Sequence, residues 1–348
     1  MNQVGIILGP SLLGRLKIFK NVLFSNKSQD IIGILSLLSY TLFLFVSGVK
    51  MDIGMIKRNG RKALFTGVAS ILFPLLIGLS VELKIGMLWL KEEGYKLPYM
   101  TIAHCITSFP VLALLLDDLK ILNSELGRLS LSTTLVGDML SLLAVISSSL
   151  LRTYQEQGGM FAAINLAAVI IYIFALVYAI RPAMFWVIRQ TPKGRPIKDA
   201  YIHIIMLMIL GFSLLSNHFG QSLLYGPFIL GLAIPDGPPL GSAIVDKFNC
   251  FISDVFLPLY VTTCAMRTDL RLLKFDNSFI TFNGILIVLT FVAKMLGSLA
   301  PPLYAKMPLN DALSLALLMS FKGVTQLEYY SFLNDIQVTI SFLHFFSP

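Results

Sequence analysis

Apolar runs of roughly twenty residues, separated by short polar stretches, repeat along the chain. Eleven of them fall at residues 1–14, 31–50, 62–83, 97–117, 125–151, 160–187, 200–219, 222–235, 243–266, 278–304 and 309–333. About twenty apolar residues carry a helix across a hydrocarbon core. Backbone polar groups in lipid must be satisfied within the segment, which leaves helices for chains of this pattern. The pattern therefore predicts an all-α polytopic protein, with residues 1–348 forming one transmembrane domain in the lipid bilayer and no linker marking off a soluble domain.

Composition strengthens that reading. The chain of 348 residues is 56% hydrophobic and 13% charged, about half the charged share of a soluble domain, and its mean hydropathy is +0.78. The net charge of +8 is spread over short loops, as suits anionic headgroups, and does not point to nucleic acid. Cys105, Cys250 and Cys264 show no paired spacing, and His104, His203, His218 and His344 form no ligand pattern, so neither a disulfide framework nor a metal site is expected. No G-x-x-x-x-G-K-[ST] loop and no nucleophile–base constellation is present. The expectation is a protein that is not an enzyme and uses no cofactor.

An internal repeat organises the segments. Gly9-Pro10-Ser11-Leu12-Leu13-Gly14 recurs as Gly226-Pro227-Phe228-Ile229-Leu230-Gly231. At the same offset Leu42 is matched by Leu259, Lys50 by Arg267 and Asp52 by Asp269. The first repeat covers about residues 1–187 and the second about 200–333. An odd number of segments separates equivalent helices, so the second copy is inverted. Inverted repeats are a recurring plan of secondary transporters, whose sites lie at mid-membrane where helices are interrupted. The plan predicts about thirteen spans, of which about eleven are here, with one lacking at each end.

Two matched segments carry interruptions. Residues 97–117 contain Thr107-Ser108-Phe109-Pro110, and residues 309–333 contain Ser320-Phe321-Lys322-Gly323. Pro110 removes a backbone donor and Gly323 loosens a helix. Freed backbone groups at that depth survive only inside protein or beside water. Crossed half-helices would bring positive N-terminal and negative C-terminal ends together.

Charge falls where lipid would be. Asp138, Lys294 and Lys322 each lie near the middle of an apolar segment, at a cost of about 2.5–3.5 kcal/mol apiece on insertion scales. Asp138 is the only acid near the centre of a segment. A carboxylate suits a proton or a small hard cation, and a group that holds one or the other, never both, gives exchange. Asp138 is thus the expected cation- and proton-binding residue. Thr107 and Ser108 are the expected oxygen ligands beside it, and Lys294 and Lys322 the expected balance for the broken helix ends. Neutralisation of Asp138 by one of the lysines is a compatible alternative.

These residues resemble the monovalent cation/proton antiporter superfamily, and within it the plant cation/H⁺ exchanger family. The resemblance rests on Gly5-Ile6-Ile7-Leu8-Gly9-Pro10-Ser11, on Gly48-Val49-Lys50-Met51-Asp52 followed by Gly60-Arg61-Lys62-Ala63, on Thr107 to Ala113, on Asn123-Ser124-Glu125-Leu126-Gly127-Arg128, and on Lys294 and Lys322-Gly323. It implies the thirteen-helix inverted-repeat fold of sodium/proton antiporters with two broken helices, exchange of K⁺ or Na⁺ for H⁺, a homodimer, and a place in the endomembrane system or plasma membrane. The chain departs from the family at Gly137, where Asn or Asp is usual, and at Gln326, where an acid is usual with Glu328 nearby. By the same resemblance the family's hydrophilic C-terminal domain is expected to be absent, and the tail from Ile340 to Pro348 is unlike the family. The expected function is electroneutral cation/proton antiport by alternating access. The alternatives are a truncated, transport-inactive family member and an organic-anion symporter on a similar inverted-repeat fold.

Overall fold

A computed structural model describes residues 2–9, 12–13, 26–52, 54–86, 97–122, 124–191, 197–218, 225–235, 237–266, 278–323, 326 and 329–330. Pro10, Ser11, Gly14, Asn123, Arg267, Asp269, Glu328 and the tail 340–348 lie outside the described residues. So do the side chains of Asp117 and Cys250.

The described residues form helices and no strand. In chain order they are α1 (Asn2–Leu8), α2 (Asn26–Lys50), α3 (Gly54–Val81), α4 (Leu97–Cys105), α5 (Phe109–Asp118), α6 (Glu125–Gln157), α7 (Gly159–Ala175), α8 (Arg181–Gln190), α9 (Asp199–His218), α10 (Tyr225–Ala233), α11 (Leu240–Phe251), α12 (Leu257–Met266), α13 (Ser278–Tyr304) and α14 (Leu309–Ser320). Single π-helical turns follow α3 (Glu82–Gly86), join α7 to α8 (Leu176–Ile180) and join α11 to α12 (Ile252–Phe256). Among the described residues, seven helical stretches are long and apolar enough to cross a membrane. The chain is a multi-pass membrane protein. Within α3 the backbone leaves helical geometry at Gly60 (φ 66°), a left-handed conformation that favours glycine, and the apolar span begins there.

The chain divides into two compact units, each built from separated stretches of sequence. The first comprises Met1–Asp52 and Ser149–Leu272. In it α1 packs on α12 and α10 on α2, and glycines set the separations. A Cβ on Gly48 would stand 2.5 Å from the Phe228 carbonyl oxygen and 3.1 Å from Gly231 Cα; one on Gly9 would stand 2.7 Å from the Met266 carbonyl oxygen. Tyr172 Oη donates to the Gly226 carbonyl at 3.0 Å. Small residues at these contacts let apolar helices pack backbone to backbone where lipid offers no hydrophobic drive. The stretch Gly159–Gln190 is different: only 17% of its apolar window is buried, which leaves it largely exposed within the chain.

The second unit comprises Ile53–Ser148 and Leu273–Pro348. Its frame is α3 against α13. Gly78 faces Thr290, while Gly297 faces Ala69 and Phe73, so the two helices run antiparallel. Next to them, α6 buries 67% of its apolar window despite a row of hydroxyls. Ser130, Ser132, Thr133 and Thr134 each donate to the carbonyl four residues earlier at 2.7–2.8 Å. Those bonds satisfy the hydroxyls locally, so a polar helix can enter a buried position.

Replacing Gly48 by Val should drive α2 off α10 and lower the thermal unfolding midpoint in detergent, on the scale of about 1–3 kcal/mol for an overpacked contact. Gly211→Ala and Gly284→Ala, where nothing lies within 4 Å of the added Cβ, should leave the midpoint unchanged or raise it, on the scale of about 0.4–1 kcal/mol. A Gly48→Val protein as stable as these controls would show that the close approach is dispensable.

Candidate functional site

All the described candidate residues fall in the second unit. The segment 97–117 is broken, as its sequence predicts. Helix α4 ends at Cys105, Ile106–Ser108 are non-helical, and α5 begins at Phe109. Pro110 does not interrupt a helix. It sits in the first turn of α5, where the missing N–H has no intrahelical partner to lose, and the break precedes it. The segment 309–333 is also interrupted: α14 ends at Ser320 and Phe321 is extended (φ −60°, ψ 136°). The two interruptions come into contact. A Cβ on Gly323 would overlap Ser108 and stand 2.9 Å from Val111 Cγ2.

Asp138, 9% exposed, reaches from α6 to this break. Its Oδ2 accepts the Phe109 backbone N–H at 2.9 Å, and its Oδ1 accepts the Thr107 hydroxyl at 2.9 Å. The carboxylate therefore caps the N-terminus of α5, where unpaired N–H groups and the helix dipole favour negative charge. Gly137 adjoins it. A Cβ there would stand 2.8 Å from Thr107 Oγ1, so a side chain at this position would displace the hydroxyl from its place beside Asp138. Ser108 is buried where the two interruptions meet.

The lysines occupy the other end of the break. Lys294, fully buried, donates from Nζ to the carbonyls of Cys105 at 2.8 Å and Ile106 at 3.1 Å. Lys322 donates to the His104 carbonyl. Both ammonium groups thus satisfy carbonyls at the C-terminal, negative end of α4. Neither is ion-paired with Asp138: their ammonium groups bond to carbonyls instead. Direct neutralisation of Asp138 by a lysine, open on sequence grounds, is not the arrangement here. The acid and the lysines are held by opposite ends of the same broken segment.

Sequence reasoning passed over two further groups. His104, 2% exposed, has Nε2 3.1 Å from Asn283 Oδ1 and Nδ1 2.6 Å from Tyr330 Oη. Gln326, where the family usually has an acid, has Nε2 3.5 Å from the same Tyr330 hydroxyl. His104, Gln326 and Tyr330 line, with Lys322 and Thr290, a cavity of about 400 Å³. Glu82, 2% exposed, accepts from the Thr101 hydroxyl. It closes an apolar run, where a sequence gives no sign of burial.

The family described as "Sodium/hydrogen exchanger, transmembrane" matches residues 2–334. The chain is 35% identical to cation/H⁺ antiporter 3 of Arabidopsis thaliana over 94% of its own length and 42% of the relative's, and 34% identical to cation/H⁺ antiporter 8 of the same plant over 95% and 41%. It spans about two fifths of the length of these curated relatives. Among solved structures it is similar to the sodium/proton antiporter MjNhaP1 of Methanocaldococcus jannaschii, with a TM-score of 0.59 at 17% identity, over 97% of this chain and 79% of that one. That likeness establishes the sodium/proton-antiporter fold.

Lys294→Met should strand the Cys105 and Ile106 carbonyls. An unsatisfied buried acceptor costs about 1–3 kcal/mol, and loss of a buried charge offsets part of it. The expected result is a lower unfolding midpoint in detergent, larger than that of Lys322→Met because Lys294 is the fully buried one. Equal midpoints for Lys294→Met and the wild type would remove the capping role.

Proposed function

The chain belongs to the transmembrane sodium/hydrogen exchanger family, and we propose that it exchanges a monovalent cation, K⁺ or Na⁺, for H⁺ by alternating access. The observation that carries this reading is the placement of Asp138 at the N-terminus of α5, with the ammonium groups at the opposite end of the break. Its donors there are a backbone N–H and a hydroxyl, both neutral, so no ion pair has to be broken before it takes a proton or an alkali cation. The Thr107 hydroxyl and backbone carbonyl oxygens supply further oxygen for the cation, the ligand type hard cations take. Ser108 belongs to the same oxygen set. Lys294 and Lys322 hold the α4 end fixed while the Asp138 end is loaded and unloaded.

One titrating carboxylate at this position makes the exchange one-for-one and electroneutral. Two features of the fold accord with the inverted repeat about 1–187 and 200–333. The contacts of α1 with α12 and of α10 with α2 are the pair that a swap of equivalent helices interchanges, and both broken segments occupy matching places. A homodimer belongs to the same reading. The exposed apolar face of α7 and α8, with Met160, Ile171 and Phe174, is available to lipid or to a second copy.

The test is flux in proteoliposomes loaded with a pH-sensitive dye. An imposed K⁺ or Na⁺ gradient should move protons, and Asp138→Asn, which keeps an acceptor for Phe109 N–H, should lose that movement by at least about a hundredfold while still unfolding cooperatively. Loss of about 2.7 kcal/mol of cation stabilisation corresponds to that factor. Thr107→Val should retain transport with weaker apparent cation affinity. Undiminished cation-driven proton movement in the Asp138→Asn protein would reject the assignment.

A further inference from the structure

Glu82 has no role in the exchange at Asp138, yet its surroundings are unusual for an acid. It opens the π-helical turn Glu82–Gly86, a distortion that frequently marks function, and it is 2% exposed. Oε1 accepts from the Thr101 hydroxyl, and Oε2 is buried with no hydrogen-bond partner among the described residues. A buried carboxylate with one neutral donor lacks the compensation that burial of charge demands. If Oε2 carried a proton, its O–H would lack an acceptor instead. A small cation resolves both difficulties, because it takes the free oxygen and the charge together.

Position supports this. Gly78 lies one helical turn before Glu82, and a Cβ there would meet Thr101 Oγ1 at 3.0 Å and Thr290 Cγ2 at 3.3 Å. The glycine is what lets Thr101 lie against α3, within reach of Glu82. The antiparallel register of α3 and α13, fixed by Gly78 at Thr290 and Gly297 at Ala69 and Phe73, sets Lys294 near the level of Pro74. Glu82 is then displaced from that level by about 12 Å, at 1.5 Å per residue, toward the end of its span. Along the broken segment the charged partners fall in order: Glu82 at Thr101, Lys322 at His104, Lys294 at Cys105 and Ile106, Asp138 at Thr107 and Phe109. The two acids bracket the two ammonium groups, so neither carboxylate shares its cation with the other.

We propose that Glu82 and Thr101 form a second binding station for a monovalent alkali cation, separate from Asp138 and nearer the membrane surface. It rests on the exchange reading above and adds a site to it.

Equilibrium binding of ⁸⁶Rb⁺ and ²²Na⁺ to the purified full chain in detergent separates the possibilities. The expected outcome is two saturable sites in the wild type, one remaining in Asp138→Asn, and none in Asp138→Asn/Glu82→Gln, with Glu82→Asp in the Asp138→Asn background keeping a weakened site. Glu82→Gln preserves the acceptor for Thr101, so its unfolding midpoint should match the wild type. Thr101→Val in the Asp138→Asn background should weaken the remaining site by about tenfold, the 1.4 kcal/mol scale of one oxygen contact, and provides the readout if Glu82→Gln does not fold. Loss of all saturable binding in Asp138→Asn alone would overturn the second station and leave the exchange reading standing. Loss with Glu82→Gln alone, with Asp138→Asn unaffected, would do the reverse. No saturable binding of either cation to the wild type would overturn both.

Discussion

The structure turns on the hydrogen bonds that close the gap between Cys105 and Phe109. Breaking a helix in an apolar body strands carbonyls at one end and N–H groups at the other, each costing about 1–3 kcal/mol if left bare. In this chain the N–H end is met by one carboxylate and the carbonyl end by two ammonium groups. The break and the charges are therefore mutually dependent. Without Asp138 and the lysines the gap is a defect, and without the gap three charges lie in lipid with no partner. The hydroxyls of α6 serve the same end, because their bonds to their own backbone let the helix that carries Asp138 be buried.

Close approach is the second requirement, and it is met by leaving side chains out. Thr101, Thr107 and Ser108 each face a glycine from a different part of the unit: Gly78 of α3, Gly137 of α6, and Gly323 beyond α14. A methyl at any of these would push the broken segment away from the helix that holds it. Gly137 explains a departure that the family resemblance leaves open. A larger residue there would contribute its own polar atoms beside the acid. Glycine instead lets the Thr107 hydroxyl take that place.

Much of this was legible in the sequence. Asp138, Lys294 and Lys322 stand out because a charge in an apolar run has few innocent explanations, and Thr107 to Pro110 because proline cannot continue a helix. The pairing of these groups was not legible. A lysine in a span reads equally as a partner for an acid or for a carbonyl, and only the folded register of α13 against α4 decides between them. Pro110 marks the break, but the non-helical residues precede it, because proline is at ease in a first turn. Glu82 was missed for a related reason. It lies at the close of an apolar stretch, where a carboxylate ordinarily meets water, and its burial comes from contact with Thr101, nineteen positions along the chain.

The separation of acid from base decides how such a site can work. Two opposite charges in direct contact at low dielectric attract strongly, and an incoming cation would have to break that pair before binding. Here each charge is held by a helix end, through neutral groups whose partial charges are a fraction of an electron. That hold is strong enough to fix geometry and weak enough to leave the carboxylate its affinity for a full positive charge. In the proposed exchange the difference matters at every cycle, since the ion must be released as readily as it is taken. The lysines face no such requirement. In that proposed exchange they would stay on the carbonyls of His104, Cys105 and Ile106 and keep the negative end of α4 occupied while the acid alternates between its two occupants.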